Sequence, residues 1–171
     1  LTGIGQDISA GDVLLGLPSS GLHTNGYSLA RRVFAPFALE TIFPELGEPL
    51  IDALLRPHRC YLHEIQTLRE NPAIAIKGLA HITGGGFEGN IARILPPGVQ
   101  AVIETGAWKV PPIFTLLGHL GQVTHKEMYR AFNMGVGMVL IVSPEVAKHA
   151  QRILPELLTV GYITKGEGVV L

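Results

Sequence analysis

The chain has 171 residues, of which 47% are hydrophobic and 16% charged, and its formal net charge is −1. This length fits one domain with a sizeable core, or one half of a larger enzyme. The near-neutral charge gives no electrostatic argument for binding nucleic acid or an anionic membrane surface. Apolar stretches are interrupted well before the ~18 residues that a membrane-spanning helix needs. The apolar surplus suggests a surface that a partner domain or subunit covers.

The cysteine content and the first residues of the chain indicate the cellular compartment. Cys60 is the single cysteine, which excludes a disulfide framework and a cysteine-based metal site and suits a reducing cytoplasm. Residues 1–7 lack the basic start and apolar block of a signal peptide. Residues 1–10 are therefore interpreted as a linker remnant, and residues 11–171 as the domain.

Apolar runs alternate with helical patterns along the chain, and Asn25 is expected to N-cap the first helix. In chain order, the predicted elements are a strand (12–17), helices (27–33, 49–55, 61–69), a strand (73–82), a helix (90–95), a strand (99–104), helices (111–120, 126–132), a strand (135–142), a helix (144–157) and a closing hairpin (162–163 with 169–171). This alternation predicts a single α/β (α+β) domain with a mixed sheet flanked by helices.

A glycine-rich turn follows His81: Thr83 precedes the consecutive glycines Gly84, Gly85 and Gly86. Glycines let the backbone turn its N–H groups toward one point, and a following helix N-terminus adds partial positive charge. The turn is therefore a candidate anion or phosphate site. Taken alone, such a sequence is more often a plain strand-to-helix connection.

A second polar loop spans residues 19–26, where Ser19, Ser20, His23, Thr24 and Asn25 lie between a strand and a helix. A turn with an N-cap explains part of this composition, and a ligand site explains it equally well. If the two preceding strands are near neighbours, both loops lie at one edge of the sheet, where α/β proteins bind ligands.

A third dense stretch, residues 127–138, is interpreted mainly as structure. Glu127 and Arg130 fit a surface ion pair at i, i+3, while Gly135 and Gly137 in a strand indicate close approach by a neighbour or ligand. Trp108 is interpreted as a packing anchor. The histidine spacing does not support a metal site, so none is predicted. Five histidines are expected at the surface: His58, His63, His119, His125 and His149.

These stretches occur together in one family. The chain closely resembles the C-terminal half of the aminoimidazole ribonucleotide (AIR) synthetases, the phosphoribosylformylglycinamidine cyclo-ligases. The matching residues are 11–14, 19–29, 80–87, 90–91 with Arg93, Trp108, 111–114 and 127–138. The chain departs from the family at residues 57–61, where Pro-His-Arg-Cys-Tyr replaces the usual Pro-Thr-Arg/Lys-Ile-Tyr, and near residues 164–168.

The resemblance implies an ATP-dependent ring closure in purine biosynthesis, from formylglycinamidine ribonucleotide to AIR. His81 is then the expected base or formyl-orienting group, with His23 as second candidate. The residues expected to contact substrate or phosphate are Ser19, Ser20, Asn25, Thr83, Gly84, Gly85, Gly86 and Arg93.

The resemblance also implies partners. ATP and Mg²⁺ are expected to bind mainly to an N-terminal domain that this chain does not contain, and the full-length protein is expected to be a cytoplasmic homodimer. The chain alone is then expected to be inactive. Two alternatives remain: another superfamily member, such as an amidotransferase or small-molecule kinase, and a non-catalytic nucleotide-binding scaffold.

Overall fold

A computed structural model describes residues 7–171. The helices are α1 (Tyr27–Phe34), α2 (Leu50–Leu54), α3 (Leu62–Glu70), α4 (Gly86–Ile91), α5 (Pro112–Gly121), α6 (His125–Ala131) and α7 (Pro144–Ile153), with a 3₁₀ turn at Ala92–Ile94. The strands are β1 (Val13–Pro18), β2 (Gly78–His81), β3 (Val99–Ile103), β4 (Val136–Val142), β5 (Leu158–Lys165) and β6 (Gly168–Val170).

The strands form one mixed sheet in the order β2-β4-β1-β5-β3-β6. Within the described residues β3 and β6 are parallel, and the other neighbouring pairs are antiparallel. The predicted α/β fold with a mixed sheet flanked by helices is therefore confirmed. Because β1 and β2 both run antiparallel to β4, their carboxyl ends lie at the same edge of the sheet. The two polar loops leave from this edge, as the sequence predicted.

Side chains of the central strands alternate between two layers, as the period of two in a strand requires. Leu14 and Val139 face the larger layer, which includes Phe87, Phe114 and other residues of α1 and α4–α6. Leu15 and Leu140 face a smaller layer with residues of α3 and α7. The sheet is thus covered on both faces, which explains why β4 reads as a continuous apolar run.

One predicted helix start and one predicted N-cap were wrong, and in both helices a glycine in the left-handed region takes the N-cap position. The helix expected over 90–95 begins at Gly86, because Gly85 has φ +94° and turns the chain early. Asn25 does not cap α1. The N-cap is Gly26 at φ +74°, while the Asn25 amide donates to the carbonyl oxygen of His23.

The predicted closing hairpin was also wrong. β5 and β6 follow one another along the chain, yet they lie on opposite sides of β3. The Gly166 N–H donates to Gly98 O at 3.2 Å, and Gln100 Nε2 donates to Glu167 O at 2.9 Å. The connection therefore wraps around the start of β3, and β6 adds to the far edge of the sheet.

The first described residues are packed against the rest of the domain. Ile8 is buried in the core, and the Ser9 N–H donates to an Asp12 carboxylate oxygen at 2.8 Å. Of the linker predicted over residues 1–10, residues 1–6 lie outside the described residues. Between residues 7 and 171 no helix is long and apolar enough to cross a membrane.

Candidate functional site

The loop that follows β1 is fixed by Asn133. Its Oδ1 accepts from Ser19 Oγ at 2.8 Å and from the Gly135 N–H at 2.9 Å, while its Nδ2 donates to Gly21 O at 2.8 Å. Asn133 is 1% exposed, so these bonds replace the water that its amide would otherwise bind. Sequence reasoning placed Asn133 in a structural stretch and did not recognise it as the support of the Ser19 loop.

The same loop contains two non-glycine residues in the left-handed region, His23 at φ +53° and Thr24 at φ +61°. Each such residue costs of the order of 1 kcal/mol or more and persists only where surrounding contacts impose it. Here the Thr24 hydroxyl and the Asn25 amide both donate to the carbonyl oxygen of His23, at 2.6 and 2.7 Å. This backbone conformation points the His23 ring into the protein.

The His23 ring is buried and held by Ser20. The Ser20 N–H donates to His23 Nε2 at 2.9 Å, and Ser20 Oγ lies 2.8 Å from the same nitrogen. Ser20 Oγ in turn donates to Pro57 O at 2.6 Å, which ties the loop to residues 57–61. Since Nε2 accepts the backbone N–H, the Nδ1 nitrogen carries the proton of the neutral ring. That nitrogen is buried without a partner among the described residues.

Three imidazoles converge at this point. His58 stacks on His23 with ring centroids 4.0 Å apart and planes 16° from parallel, and its Nε2 lies 3.1 Å from His81 Nε2. One ring nitrogen from each histidine lies within 4.8 Å of the others. His58 is exposed, as predicted, but the sequence analysis missed its place in the site. One indication of this role in the sequence was that His58 lies in residues 57–61, where the chain departs from the family that it resembles.

Burial and mutual repulsion favour the neutral rings. Desolvation, followed by the charges of His58, His81 and Arg59, lowers the pKa of His23 from 6.5 to about 4. Desolvation and the His58 charge also lower the pKa of His81, which is exposed at the end of β2. An exposed imidazole that is neutral near pH 7 can accept a proton from a bound molecule.

Tyr61 and Gly137 form the floor beneath these rings. The Tyr61 hydroxyl donates to Pro18 O at 2.9 Å, and a Cβ atom added at Gly137 would lie 2.0 Å from that hydroxyl. The close approach predicted for Gly137 is therefore made by a neighbouring side chain. At Gly135, the added atom would lie 2.4 Å from Pro111.

Arg59 anchors the 57–61 segment from the other side. Its guanidinium pairs with Glu64 and with Glu156, lies 5.3 Å from the Tyr61 ring centroid, and donates to Pro18 O at 3.2 Å. The hydrogen bond to Glu156 is the main reason that the pKa of Arg59 is raised. A permanent cation, balanced by two carboxylates, therefore fixes the segment that carries His58.

The glycine turn is organised by Asn90. Its Nδ2 donates to Gly86 O at 2.7 Å and, at longer range, to Thr83 O and Gly84 O, while Thr83 Oγ1 donates to Asn90 Oδ1 at 3.2 Å. Gly84 and Gly85 are exposed, and their N–H groups have no acceptor within the described part of the chain. These two donors are available to a bound anion.

The remaining predicted site residues lie at different distances from this turn. Asn25 borders it, because a Cβ atom at Gly84 would lie 3.6 Å from Asn25 Oδ1. Gly86 is buried against α6, where an added Cβ would lie 1.8 Å from Tyr129 O. Arg93 is exposed on the 3₁₀ turn and forms no ion pair with the residues that the structure describes.

The third dense stretch is structural, as predicted. Met128, Phe132 and Met134 are buried, and Glu127 pairs with Arg130 at 3.0 Å. The indole N–H of Trp108 donates to Met134 O at 2.9 Å, which confirms its packing role.

The site does not fit Mg²⁺. Magnesium is held by carboxylates, phosphates and water at short distances and near-octahedral geometry. Among residues 7–171, the cluster of potential metal ligands is the three imidazoles described above. What this face offers a phosphate-bearing molecule is N–H donors, hydroxyls and a neutral base.

Comparison with known proteins shows the family of the chain. Residues 9–171 match the family model described as AIR synthase related protein, C-terminal domain. The phosphoribosylformylglycinamidine cyclo-ligase of Desulfitobacterium hafniense (strain DSM 10664 / DCB-2) is 55% identical over 141 residues, covering 82% of this chain and 41% of that protein. The enzyme of that name from Caldicellulosiruptor bescii is 49% identical, covering 98% of this chain and 51% of its own length.

Solved structures share the fold at lower identity. A hydrogenase maturation protein HypE in complex with ATP superposes with a TM-score of 0.63 at 17% identity, over 94% of this chain and 44% of that one. Thiamine-monophosphate kinase from Stenotrophomonas maltophilia gives 0.61 at 15% identity, over 95% and 50%. The chain spans about half the length of the curated relatives it matches. By sequence over residues 9–171, the chain belongs to the family of AIR synthase related proteins, whose C-terminal domain it matches.

Proposed function

We propose that this chain supplies the C-terminal half of an ATP-dependent cyclo-ligase that converts formylglycinamidine ribonucleotide to AIR. The observation that carries the proposal is the position of His81. An exposed, neutral imidazole lies at the sheet edge from which the serine loop and the glycine turn both leave. Relatives that are 46–55% identical and are named for this reaction support it.

His81 is the proposed base. Ring closure forms a bond from the amidine nitrogen to the formyl carbon and breaks the bond from that carbon to its activated oxygen. The proton that leaves the nitrogen passes to a neutral imidazole nitrogen of His81. His23 is buried, and its Nε2 is occupied by Ser20, so it serves this base by positioning the His58 ring stacked on it.

The substrate phosphate is assigned to the free N–H groups of Gly84 and Gly85, with Thr83 at the edge of the turn. Ser20 and Asn25 border the ribonucleotide from the other loop. Ser19 and Gly86 act behind them, because their contacts are with Asn133 and with Tyr129. Arg93 is a candidate for a second contact to negative charge.

ATP supplies the phosphoryl group that makes the formyl oxygen a good leaving group. The domain lacks a magnesium-type ligand set in its described residues, which supports binding of Mg²⁺ and most of ATP by an N-terminal domain. The proposal includes a homodimer of the complete protein. It also includes a cytoplasmic location, which the exposed free thiol of Cys60 supports.

A chimera tests this proposal. Residues 9–171 would replace the corresponding half of the Caldicellulosiruptor bescii cyclo-ligase, and AIR formation would be measured with and without ATP. We expect ATP-dependent turnover that His81→Ala lowers ~10²- to 10⁴-fold, the usual contribution of a general base. His63→Ala, at an exposed histidine on α3, is the matched control.

The alternatives predict different results. A chimera that unfolds cooperatively but forms no AIR would overturn the cyclo-ligase proposal. ADP release with thiamine monophosphate would favour a kinase, and glutamine-dependent amidation of formylglycinamide ribonucleotide would favour an amidotransferase. Nucleotide binding without turnover of any of these substrates would favour the scaffold.

A further inference from the structure

We propose that His23, His58 and His81 form a binding site for a borderline divalent transition cation of the Zn²⁺ class. The reaction proposed above does not require such an ion, and none of the relatives' names implies one. The site is made from two loops and the end of a strand, at sequence separations that exclude a local metal motif.

The separation of the ring nitrogens supports this assignment. Two imidazoles on one tetrahedral zinc, each with a bond of about 2.0–2.1 Å, place their nitrogens ~3.4 Å apart. His58 Nε2 and His81 Nε2 are already 3.1 Å apart. The two nitrogens are therefore already about as far apart as two ligands of one zinc ion. Without an ion, two neutral rings at this distance are joined by a single N–H···N hydrogen bond.

The third ligand requires a rearrangement of the stacked rings. All three nitrogens lie within 4.8 Å, and two ligands of one tetrahedral ion lie ~3.4 Å apart, so the shift in position is about an ångström. Because the lone pairs lie in the ring planes, the nearly parallel His23 and His58 rings must also rotate out of their stack to point at a common ion. His23 Nδ1 is a buried nitrogen without a partner in the described residues. Nδ1 gains a lone pair for the ion if the ring proton moves to Nε2, where Ser20 Oγ at 2.8 Å can accept it. The Ser20 N–H, which donates to Nε2 in the site without an ion, must then turn away from that nitrogen.

The surroundings tolerate a dication. The charge of Arg59 is paired with Glu64 and Glu156. His58 and His81 are both exposed, which gives an ion direct access and leaves the fourth position open to water. Imidazole ligands select zinc, cobalt, nickel or copper over magnesium and calcium. Three protein ligands with an open fourth position are a known zinc geometry. An ion bound to His81 would compete with the role of that ring as the base, so ion binding and the proposed proton transfer are alternative states of the site.

The test measures metal binding and does not depend on the proposed reaction. The metal-stripped 171-residue chain would be titrated with Co²⁺ alone, following visible absorption, and then with Zn²⁺ as competitor. We expect one tetrahedral Co²⁺ per chain, displaced by Zn²⁺. X-ray absorption of the Zn²⁺ form should count three imidazole nitrogens at about 2.0–2.1 Å.

Matched variants locate the ion. His58→Thr, which places the resembled family's residue at this position, and His81→Gln should each weaken Co²⁺ binding at least ~10-fold. His63→Gln should bind like the unaltered chain. Cys60 lines the same pocket but is not one of the three proposed ligands. Cys60→Ser should therefore bind Co²⁺ like the unaltered chain, and neither protein should show a thiolate-to-cobalt absorption band.

Several outcomes would overturn the site. These are no saturable Co²⁺ binding, equal binding by His58→Thr, loss of binding in Cys60→Ser, or a zinc shell with fewer than three imidazoles. Since His58 and His81 are exposed, circular dichroism of their variants should match that of the unaltered chain.

Discussion

The Cα atom of Gly86 packs against the backbone of Tyr129, so that a Cβ atom at residue 86 would stand 1.8 Å from the Tyr129 carbonyl oxygen. This contact joins the start of α4 to α6 and fixes the third glycine of the turn. The first two glycines are exposed and free of such a contact. The three consecutive glycines therefore serve two purposes, close helix packing and an accessible backbone.

Gly86→Ala should destabilise the chain by ~3 kcal/mol or more, because it adds a backbone clash to a strained φ of +61°. Gly89 lies in the same helix with nothing within 4 Å of an added Cβ. Gly89→Ala should therefore stabilise by ~0.5–1 kcal/mol. Urea unfolding of both variants checks the pair, and equal effects would contradict the packing role of Gly86.

Gly137→Ala should destabilise the site floor, since its Cβ would lie 2.0 Å from the Tyr61 hydroxyl. Tyr61→Phe removes that oxygen and should cost ~1 kcal/mol through the lost bond to Pro18 O. The double variant should be more stable than the sum of the single effects predicts, by ~1 kcal/mol or more. Additive free energies of unfolding in this cycle would show that the two residues do not compete for space.

Asn133→Asp should lower stability by ~2 kcal/mol or more, because the carboxylate cannot donate to Gly21 O and is buried beside it. Asn71 provides the control. Its Oδ1 accepts from the Ala73 N–H on an exposed turn, so Asn71→Ala should cost less than 1 kcal/mol. Thermal unfolding measures both, and a small effect at Asn133 would mean that the Ser19 loop is held by other contacts.

The buried His23 should make stability fall in mild acid. Its pKa is lowered from 6.5 to about 4, so below pH 6.5 the unfolded chain binds a proton that the folded chain does not. The contribution is fully present above pH 6.5 and is lost as pH falls toward 4, by ~3 kcal/mol at most.

His23→Gln should remove up to one proton from the slope of unfolding free energy against pH in this window, with EDTA present. His63→Gln should keep the slope of the unaltered chain. Urea unfolding at several pH values between 4 and 7 makes the comparison. An unchanged slope in His23→Gln would assign the acid sensitivity to other groups.

Sequence patterns predicted those elements whose periodicity is strong. β1, β4, α5 and the buried stretch around Phe132 follow from apolar runs and proline or glycine boundaries. The Gly26 N-cap of α1 and the start of α4 at Gly86 were missed, because glycines in the left-handed region leave no side-chain signal. The placement of β6 depends on how a short connection passes β3, and local pattern carries no information on that.

The residues of the candidate site were likewise predicted only in part. His81, His23 and the two loops were found because polar residues concentrate there in the sequence. His58, Tyr61 and Asn133 enter through long-range pairing, such as the Ser20–Pro57 and Asn133–Gly21 hydrogen bonds. Their sequence separations of 37 and 112 residues place them beyond any spacing argument.

The strand order also affects how the domain associates with other chains. The outermost strands, β2 and β6, have four and three residues, while β4 and β5, with seven and eight, lie in the interior. Short outer strands offer few unpaired backbone groups to a second sheet. A chain rich in apolar β-forming segments thereby presents little template for edge-to-edge aggregation, and β6 provides that protection at one side by passing beyond β3.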